Sequence, residues 1–219
     1  EKYTRGKPTP DISNTPLFAG GDFDAADLAR VQDIFSNTWG IDTGGLDGNG
    51  DTELEEYAIK LDWNISDNHR ASFRYSNLDQ ARVRPEGSSA SGVALSSSWY
   101  NQIKSVESYV GQVFSDWTDT FSTEFKVSYR DYSSVRVNPT TAPAITVYFD
   151  DNDNVVDAPN TSVDFIRLGT ERSSMGNSLE TETWNYFGAA TWTLGDHDVK
   201  FGFESGATEI YTFFLQDAW

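Results

Sequence analysis

Two acidic runs of the sequence contain the residue types that bind divalent cations. Asp47, Asn49 and Asp51 alternate in the first run, as oxygen ligands do at the start of a calcium-binding loop. A loop of that kind beginning at Asp47 needs glycine at its sixth position and a bidentate acid at its twelfth, but the sequence has Thr52 and Ala58 there. A solvated turn is the better interpretation of this run.

The second acidic run, Asp150–Asn154, lies between the apolar segments Ile145–Phe149 and Val155–Val156. Two short apolar segments around a turn-forming centre predict a β-hairpin. Its carboxylates have the chemistry to hold a cation, but such a run is more often the hydrated tip of a hairpin. We therefore predict a hairpin here, with cation binding as the alternative.

Catalytic chemistry lacks its usual residues in this chain. There is no cysteine, and His69 and His197 lie in predicted turns without ligand-spaced or Ser-rich partners. No glycine-rich phosphate loop stands at a strand-to-helix junction. Acidic pairs such as Glu55-Glu56 and Asp150-Asp151 are expected in so acidic a chain and carry no catalytic weight. We predict no enzymatic activity, no cofactor, and no catalytic or metal-binding residue.

The composition limits which partners and which architectures are plausible for this chain. The chain of 219 residues has 34 acidic and 16 basic residues, a net charge of −18, which argues against nucleic acid as a partner. Aromatic residues make up 14%, although hydrophobic residues total only 37%. Many aromatics on a polar chain suit a barrel or a soluble, aromatic-rich β-protein. There is no apolar run of 18 residues, so the sequence predicts no membrane helix.

The clearest element of the sequence is a β-hairpin within Glu55–Asp79. Large apolar residues alternate with polar ones from Tyr57 to Ile65 and again from Ala71 to Tyr75, which gives each strand one apolar and one polar face. The four residues Ser66–His69 are turn formers. Each predicted strand is about 10 residues long, the length that a tilted strand needs to cross a bilayer.

The apolar face of this hairpin suits either a soluble core or lipid. Aromatic residues at the strand ends resemble the girdle at a membrane interface. The polar face carries Lys60, Asp62 and Arg74, as expected of strands that line a hydrated interior. These features favour lipid.

Two further hairpins repeat the pattern. The second has strands at Ser105–Asp116 and Phe121–Arg130, with a turn at Trp117–Thr120. The third has strands at Glu182–Leu194 and Val199–Glu204, with a turn at Gly195–Asp198. A break at Ser205-Gly206 then precedes another strand start at Ile210–Trp219.

The remaining segments are long connections. Glu1–Arg5 is predicted to be the end of a strand, and Asp24–Phe35 a short amphipathic helix packed on a loop. Leu28, Val31, Ile34 and Phe35 have helical spacing, and either Asp22 or Asp24 is the expected N-cap. Gln80–Gln102 and Ser133–Leu179 are expected to be long, mobile loops.

The connections sort by length onto the two ends of the strands. Those after Ile65, Asp116 and Leu194 are short, whereas the others are long except at Ser205-Gly206. Short turns at one end and long loops at the other are typical of bacterial outer-membrane barrels. The sequence therefore predicts an all-β, antiparallel, up-and-down transmembrane barrel segment of roughly seven strands, with long external loops and one short helix.

The hairpin sequences resemble those of a known family. KLDWNISDNHRASFRY, VGQVFSDWTDTFSTEFKVSYRDY and NYFGAATWTLGDHDVKFGFE, followed by FFLQDAW, are similar to TonB-dependent outer-membrane receptors, and most of all to the Oar-like group with a carboxypeptidase-regulatory-like domain. The resemblance extends over Tyr57–Trp219, and more loosely over Glu1–Thr52.

This resemblance implies a 22-stranded barrel around a plug, and ligand import driven by the TonB complex. The chain would be a part of that barrel, with residues 1–52 forming a strand end and a helix-containing external loop, and 53–219 the hairpins. The implied partners are outer-membrane lipid, an unidentified extracellular ligand, and TonB through parts of the parent protein absent here. Ligand-binding residues have no motif to match. The alternative is a soluble or secreted carbohydrate-type binding module using exposed Trp39, Trp99 and Tyr100.

Overall fold

The computed structural model describes residues 2–7, 23–47, 52–89, 91–150, 154–156 and 163–216, with the backbone alone for 2–7. The strands among these residues are β1 (Lys2–Lys7), β2 (Thr52–Ser66), β3 (His69–Arg84), β4 (Gly92–Ala94), β5 (Tyr100–Thr118), β6 (Phe121–Val137), β7 (Ile145–Phe149), β8 (Val155–Val156), β9 (Asp164–Leu168), β10 (Gly176–Leu194) and β11 (His197–Leu215). Helix α1 spans Ala25–Trp39, and short 3-10 helices lie at Ser96–Ser98 and Arg172–Ser174.

The main sheet is a seven-stranded antiparallel meander in the order β1-β2-β3-β5-β6-β10-β11. Every neighbouring pair in this order is antiparallel. The predicted number of strands and the all-β class are confirmed. The sheet is open, with β1 and β11 as its edges.

The three short turns lie together at one end of this sheet. They consist of Asp67–Asn68, Asp119–Thr120 and Gly195–Asp196 between strands that are longer than the sequence indicated. The second strand of hairpin two starts at Phe121 as expected, but β5 continues through Trp117 to Thr118 after a register shift. β5, β10 and β11 each have 19 residues, so they extend well beyond the length that a bilayer requires.

The predicted break at Ser205-Gly206 is wrong, because β11 is continuous from His197 to Leu215. Gly206 pairs with Asn185 in an unbroken ladder that ends at Leu215 opposite Gly176. A Cβ at Gly206 would lie 2.8 Å from the Asn185 Oδ1 atom, so glycine permits a close approach there and does not mark a turn. The ladder of β10 outweighs the local turn signal. Without this break, no short connection remains at the long-loop end.

The long connections between the strands of the main sheet contain a second sheet, so they are not irregular over their whole length. It has the order β4-β9-β7-β8, in which β4 and β9 are parallel and the other pairs antiparallel. The predicted β7–β8 hairpin is confirmed by the pairs Tyr148↔Val156 and Phe149↔Val155. We call α1 and these four strands the loop unit.

Helix α1 begins where the sequence indicates, but it continues beyond the predicted end at Phe35 to Trp39. Asp24 is the N-cap, and its carboxylate accepts hydrogen bonds from the backbone N–H groups of Ala26 (2.7 Å) and Asp27 (3.1 Å). Asp27 reciprocates by accepting from the Asp24 N–H at 3.0 Å, which completes a capping box. Gly40, with φ of 65°, ends the helix.

The buried core lies in the loop unit and not in the main sheet. Leu28, Val31 and Phe35 of α1 are buried as predicted, whereas Ile34 is 39% exposed. The core joins the helix to the small sheet, and it comprises Phe23, Leu28, Val31, Phe35, Val93, Leu95, Phe149, Ile166 and Leu168. The helix therefore packs on a sheet formed by the other loops and not on an irregular loop. None of the helices in the described part of the chain has the length and apolarity needed to cross a membrane.

Candidate functional site

One face of the main sheet is a continuous apolar surface. Three of its rows, taken from the long-loop end inward and each read from β2 to β11, are Ile59, Tyr75, Tyr109, Tyr129, Trp184 and Ala207; Leu61, Phe73, Gly111, Val127, Tyr186 and Ser205; and Trp63, Ala71, Val113, Phe125, Gly188 and Phe203. Many of these side chains are open to the surroundings; Leu61 is 62% and Trp63 65% exposed. The face needs an apolar environment outside the sheet.

Aromatic residues border this apolar face at both ends. At the long-loop end, Tyr75 and Tyr109 have ring centroids 4.9 Å apart, and Tyr129 and Trp184 are 4.8 Å apart. At the turn end, Phe121 and Trp192 contact edge to face at 6.4 Å. Tyr129 and Phe121 are eight residues apart on β6. For a strand tilted by about 40° from the barrel axis, this separation corresponds to roughly 21 Å along that axis. That is close to the ~25 Å apolar band of a membrane barrel.

The opposite face carries polar and charged side chains of both signs. Lys60 contacts Asp62 at 2.9 Å, and Lys200 lies 3.8 Å from Glu124. The guanidinium of Arg70 stacks over the Phe114 ring at 4.6 Å, which explains an aromatic residue on this face. Such a face suits the hydrated interior predicted from the sequence.

At the long-loop end, a cavity of about 210 Å³ lies where the loops meet the strand ends. Asp42 and Gly44 come from the segment after α1, and the remainder comes from the strand ends and the two later loops. The full lining is Asp42, Gly44, Val83, Ser96, Ser97, Trp99, Tyr100, Asn101, Val137, Asn138, Pro139 and Thr140.

Hydrogen bonds hold the three loops together around this cavity. Ser96 Oγ accepts from the N–H of Gly45 at 2.9 Å, which joins the first loop to the second. Ser97 Oγ accepts from the N–H of Gly169 at 3.0 Å, which joins the second loop to the third. Asn138 Nδ2 donates to the carbonyl of Ser174 at 2.5 Å. The cavity wall is therefore built by all three long connections.

Several oxygen atoms around the cavity have no hydrogen-bond partner within the described residues. Asn101 Oδ1 and Asn138 Oδ1 are buried and unsatisfied, and so is the Oγ of Ser98, beside the lining residue Ser97. A buried acceptor without a donor costs about 1–3 kcal/mol. Donor groups of water or of a small ligand, such as hydroxyl or ammonium groups, would satisfy those oxygens that open onto the cavity.

Tyr100 and Arg136 form the polar rim of the strand ends. The Arg136 guanidinium lies 4.6 Å from the Tyr100 ring centroid and 3.9 Å from Glu171. The Tyr100 hydroxyl donates to Glu86 at 3.5 Å. Burial raises the pKa of the Tyr100 hydroxyl above its ordinary value of 10.0.

The aromatics proposed for a carbohydrate surface are mostly not exposed. Trp99 is 2% and Tyr100 6% exposed, because both are packed at the junction of loops and strands. The indole N–H of Trp99 donates to the carbonyl of Ala94 at 2.9 Å, which fixes the ring in the wall. Trp39, at the end of α1, is 59% exposed. A flat aromatic binding surface built from these three residues is therefore wrong.

The two histidines are far apart in the structure, and both acidic runs lie partly outside the described residues. His69 and His197 lie at the turn end, four strands apart in the sheet order, which is about 19 Å at the usual strand spacing. Of the first acidic run, positions 48–51 lie outside the described residues, and Thr52 and Ala58 belong to β2.

In the second run, positions 151–153 lie outside the described residues. Asp150 Oδ1 accepts from the N–H of Asn154 at 3.0 Å, as expected at a hairpin tip. The described residues contain no group of three or more His, Cys, Asp or Glu side chains placed to bind a metal ion.

The cavity residues could not be found from the sequence. Asn101 and Asn138 stand at strand ends without a motif, and their shared site depends on which loops fold together. The aromatic rows could be predicted from the sequence, because the alternation of apolar and polar residues places each of these aromatic side chains on the apolar face.

Comparison with known proteins gives one family. A family model described as "Outer membrane beta barrel domain" matches residues 43–218, which is most of the chain. The searches of curated proteins and of solved structures gave no match.

Proposed function

The chain belongs to the outer-membrane β-barrel domain family and is located in the bacterial outer membrane, and from this premise we propose that it forms part of the barrel of a TonB-dependent receptor. The receptor takes up an extracellular ligand. The hairpin sequences, which resemble Oar-like receptors, support this proposal. As part of an outer-membrane barrel, the chain is no longer a candidate for a soluble binding module.

The observation that carries this proposal is the convergence of all three long loops on one cavity. Phe23 from the first loop, Val93 from the second and Phe149 from the third share a single core. A preformed cavity with unsatisfied acceptors at the strand ends is what initial ligand capture requires.

Residues 1–52 supply a strand end and a helix-containing external loop, and 53–219 supply the hairpins. A larger barrel closes around a plug, and TonB contacts parts of the parent outside these residues. The segment contributes binding and no catalytic step.

Uptake experiments test the transport proposal directly. Cells with and without the full-length protein, each with and without TonB, are grown in a complex medium whose components are followed by mass spectrometry. We expect at least one component to be depleted only when both the protein and TonB are present. Depletion that requires the protein but not TonB would indicate a passive pore and contradict the proposal.

A cavity variant tests where the ligand binds. Asn101→Leu removes an unsatisfied acceptor at similar volume, so it should leave folding intact while reducing uptake of the depleted component. Asn37→Leu is the matched control, since Asn37 lies on α1, bonds Asp33 at 2.6 Å and does not line the cavity. Equal uptake by both variants would place ligand capture elsewhere.

A further inference from the structure

Beyond the aromatic row of the long-loop end, the outward face of the sheet turns acidic. Two adjacent rows from β2 to β11 are Tyr57, Asn77, Glu107, Asp131, Glu182 and Glu209, and Glu55, Asp79, Ser105, Ser133, Glu180 and Tyr211. We call their seven carboxylates, Glu55, Asp79, Glu107, Asp131, Glu180, Glu182 and Glu209, the acidic belt. From β2 to β11 these two rows contain no lysine, arginine or histidine, and Lys2 of the edge strand β1 pairs with Tyr57 at the end of the first row.

The belt lies at the edge of the apolar band. Glu107, Asp131 and Glu182 are each two residues from the aromatic row, about 7 Å along the strand. The hydroxyl of Tyr75 donates to Glu107 at 3.0 Å, so a girdle ring contacts the belt directly. In a barrel whose long loops are external, this is the level of the lipid headgroups of the outer leaflet.

The strand register places acidic residues directly opposite one another on four successive strands. Glu107 pairs with Asp131, Asp131 with Glu182, and Glu182 with Glu209. Like charges directly opposite each other in a sheet are destabilising. Apart from Glu55, no belt carboxylate forms an ion pair with a described residue. The hydroxyls of Tyr75 and Tyr109 donate to Glu107. No ion pair with a described cation offsets the repulsion along this row.

A second, independent feature at the belt is an unsatisfied oxygen. Asn77 is only 6% exposed and stands between Tyr57 and Glu107 in the first row. Its Oδ1 atom is buried without a hydrogen-bond partner among the described residues. A carboxamide oxygen beside a carboxylate is a hard oxygen donor of the kind that Ca²⁺ and Mg²⁺ prefer.

We propose that the acidic belt binds divalent cations that bridge it to phosphate groups of the surrounding lipid. The belt and a phosphorylated lipid surface are both anionic and would repel each other without such cations. No three carboxylates of the described residues converge as a complete metal site. Each pair of opposed carboxylates therefore supplies part of the coordination shell of a cation. Phosphate oxygens and water supply the remaining ligands, since Ca²⁺ and Mg²⁺ both accept these oxygen ligands.

Reconstitution of the full-length protein tests this bridge. The protein is placed in vesicles of a phosphorylated glycolipid, of the same glycolipid after dephosphorylation, and of phosphatidylcholine. The unfolding temperature is read from heat-modifiable gel mobility with calcium and with EDTA. We expect calcium to raise it in the phosphorylated vesicles alone.

Two variants locate the effect on the belt. Glu107→Gln/Asp131→Asn/Glu182→Gln should lose the calcium-dependent rise, and its unfolding temperature in EDTA should be no lower than that of the wild type, because the repulsion is gone. Glu124→Gln/Glu204→Gln changes charge on the opposite face and should keep the rise. If the triple variant fails to fold, Asp131→Asn alone should reduce the rise.

Three outcomes would overturn the proposal. An equal rise in dephosphorylated or phosphatidylcholine vesicles would indicate a cation site made by the protein alone. An unchanged rise in the folded belt variants would place the cation elsewhere. Absence of any rise in phosphorylated vesicles would show that the belt needs no cation.

Discussion

The rings of Phe23 and Phe149 lie 5.2 Å apart, although they come from the first and third of the long loops. Each side chain is 2% exposed. This contact belongs to the core that unites α1 with the small sheet, so the external loops pack together as one unit.

Truncation of Phe149 should open the loop unit and leave the barrel strands intact. Phe149→Ala removes a buried aromatic side chain, a change that costs about 3–5 kcal/mol. Arg167 lies in β9, between β4 and β7, so trypsin reaches it only when the small sheet opens. We expect trypsin treatment of intact cells to cut after Arg167 in the variant and to spare it in the wild type, with heat-modifiable mobility retained until cleavage.

Val155→Ala is the matched control for this truncation. Val155 lies on the edge strand β8 of the same sheet and is 66% exposed. Its truncation should leave Arg167 protected. Equal cutting in both variants, or in the wild type, would mean that the loops are mobile, as the sequence alone suggested.

Arginine substitutions should distinguish the lipid-facing side of the main sheet from the opposite side, and positions near the bilayer midplane from those near its interfaces. The aromatic rows place the centre of the apolar band at the row of Val113, one row beyond that of Leu61. An arginine on the lipid face costs about 2–4 kcal/mol at the midplane and less near the interfaces. We expect Val113→Arg to reduce assembled, heat-modifiable barrel most, and Leu61→Arg somewhat less.

The neighbouring residues Gln112 and Asp62 face the opposite side and supply the controls. Gln112→Arg and Asp62→Arg should be mild, since that face already carries lysine and arginine side chains. Comparable losses for Val113→Arg and Gln112→Arg would indicate strands buried on both faces.

Helix α1 should lose protection in acid through its N-cap. Two backbone N–H groups lower the pKa of the Asp24 carboxyl below its ordinary value of 3.8. The stabilisation is therefore fully present above about pH 4 and is lost as the pH falls through the lowered folded-state pKa. Hydrogen exchange of α1, corrected for intrinsic rates, should show protection decreasing below pH 4.

Asp24→Asn is the control for this effect. Asparagine also caps helices well but does not titrate in this range, so its α1 protection should vary little with pH. A decrease of the same size in Asp24→Asn would assign the acid sensitivity to another group.

The chain of residues 1–219 alone should require detergent. Its sheet has free edges at β1 and β11, and its apolar face exposes Ile59 by 55% and Phe203 by 55%. Unpaired edges and exposed apolar faces promote association. We expect heterogeneous aggregates in plain buffer by light scattering, whereas a monodisperse monomer with one cooperative melting transition would contradict the open, lipid-facing sheet.

The hairpins of the main sheet and the two faces of their strands were determined by the sequence, because alternation is a local property that the backbone converts directly into sidedness. Tyr57–Ile65 and Phe121–Arg130 carry that signal without help from distant residues. Asp24 and Asp27 likewise specify the start of α1 through contacts within one turn.

Only the tertiary structure decided where the loops go and how far the strands extend. The pairing of β4 with β9, the core contact of Phe23 with Phe149, and the cavity lined by Asn101 and Asn138 join segments that are far apart in the chain. The continuity of β11 through Gly206 likewise depends on its ladder with β10. Short-range patterns cannot report such pairings, because each depends on the shape and spare hydrogen bonds of a partner that the local sequence does not contain.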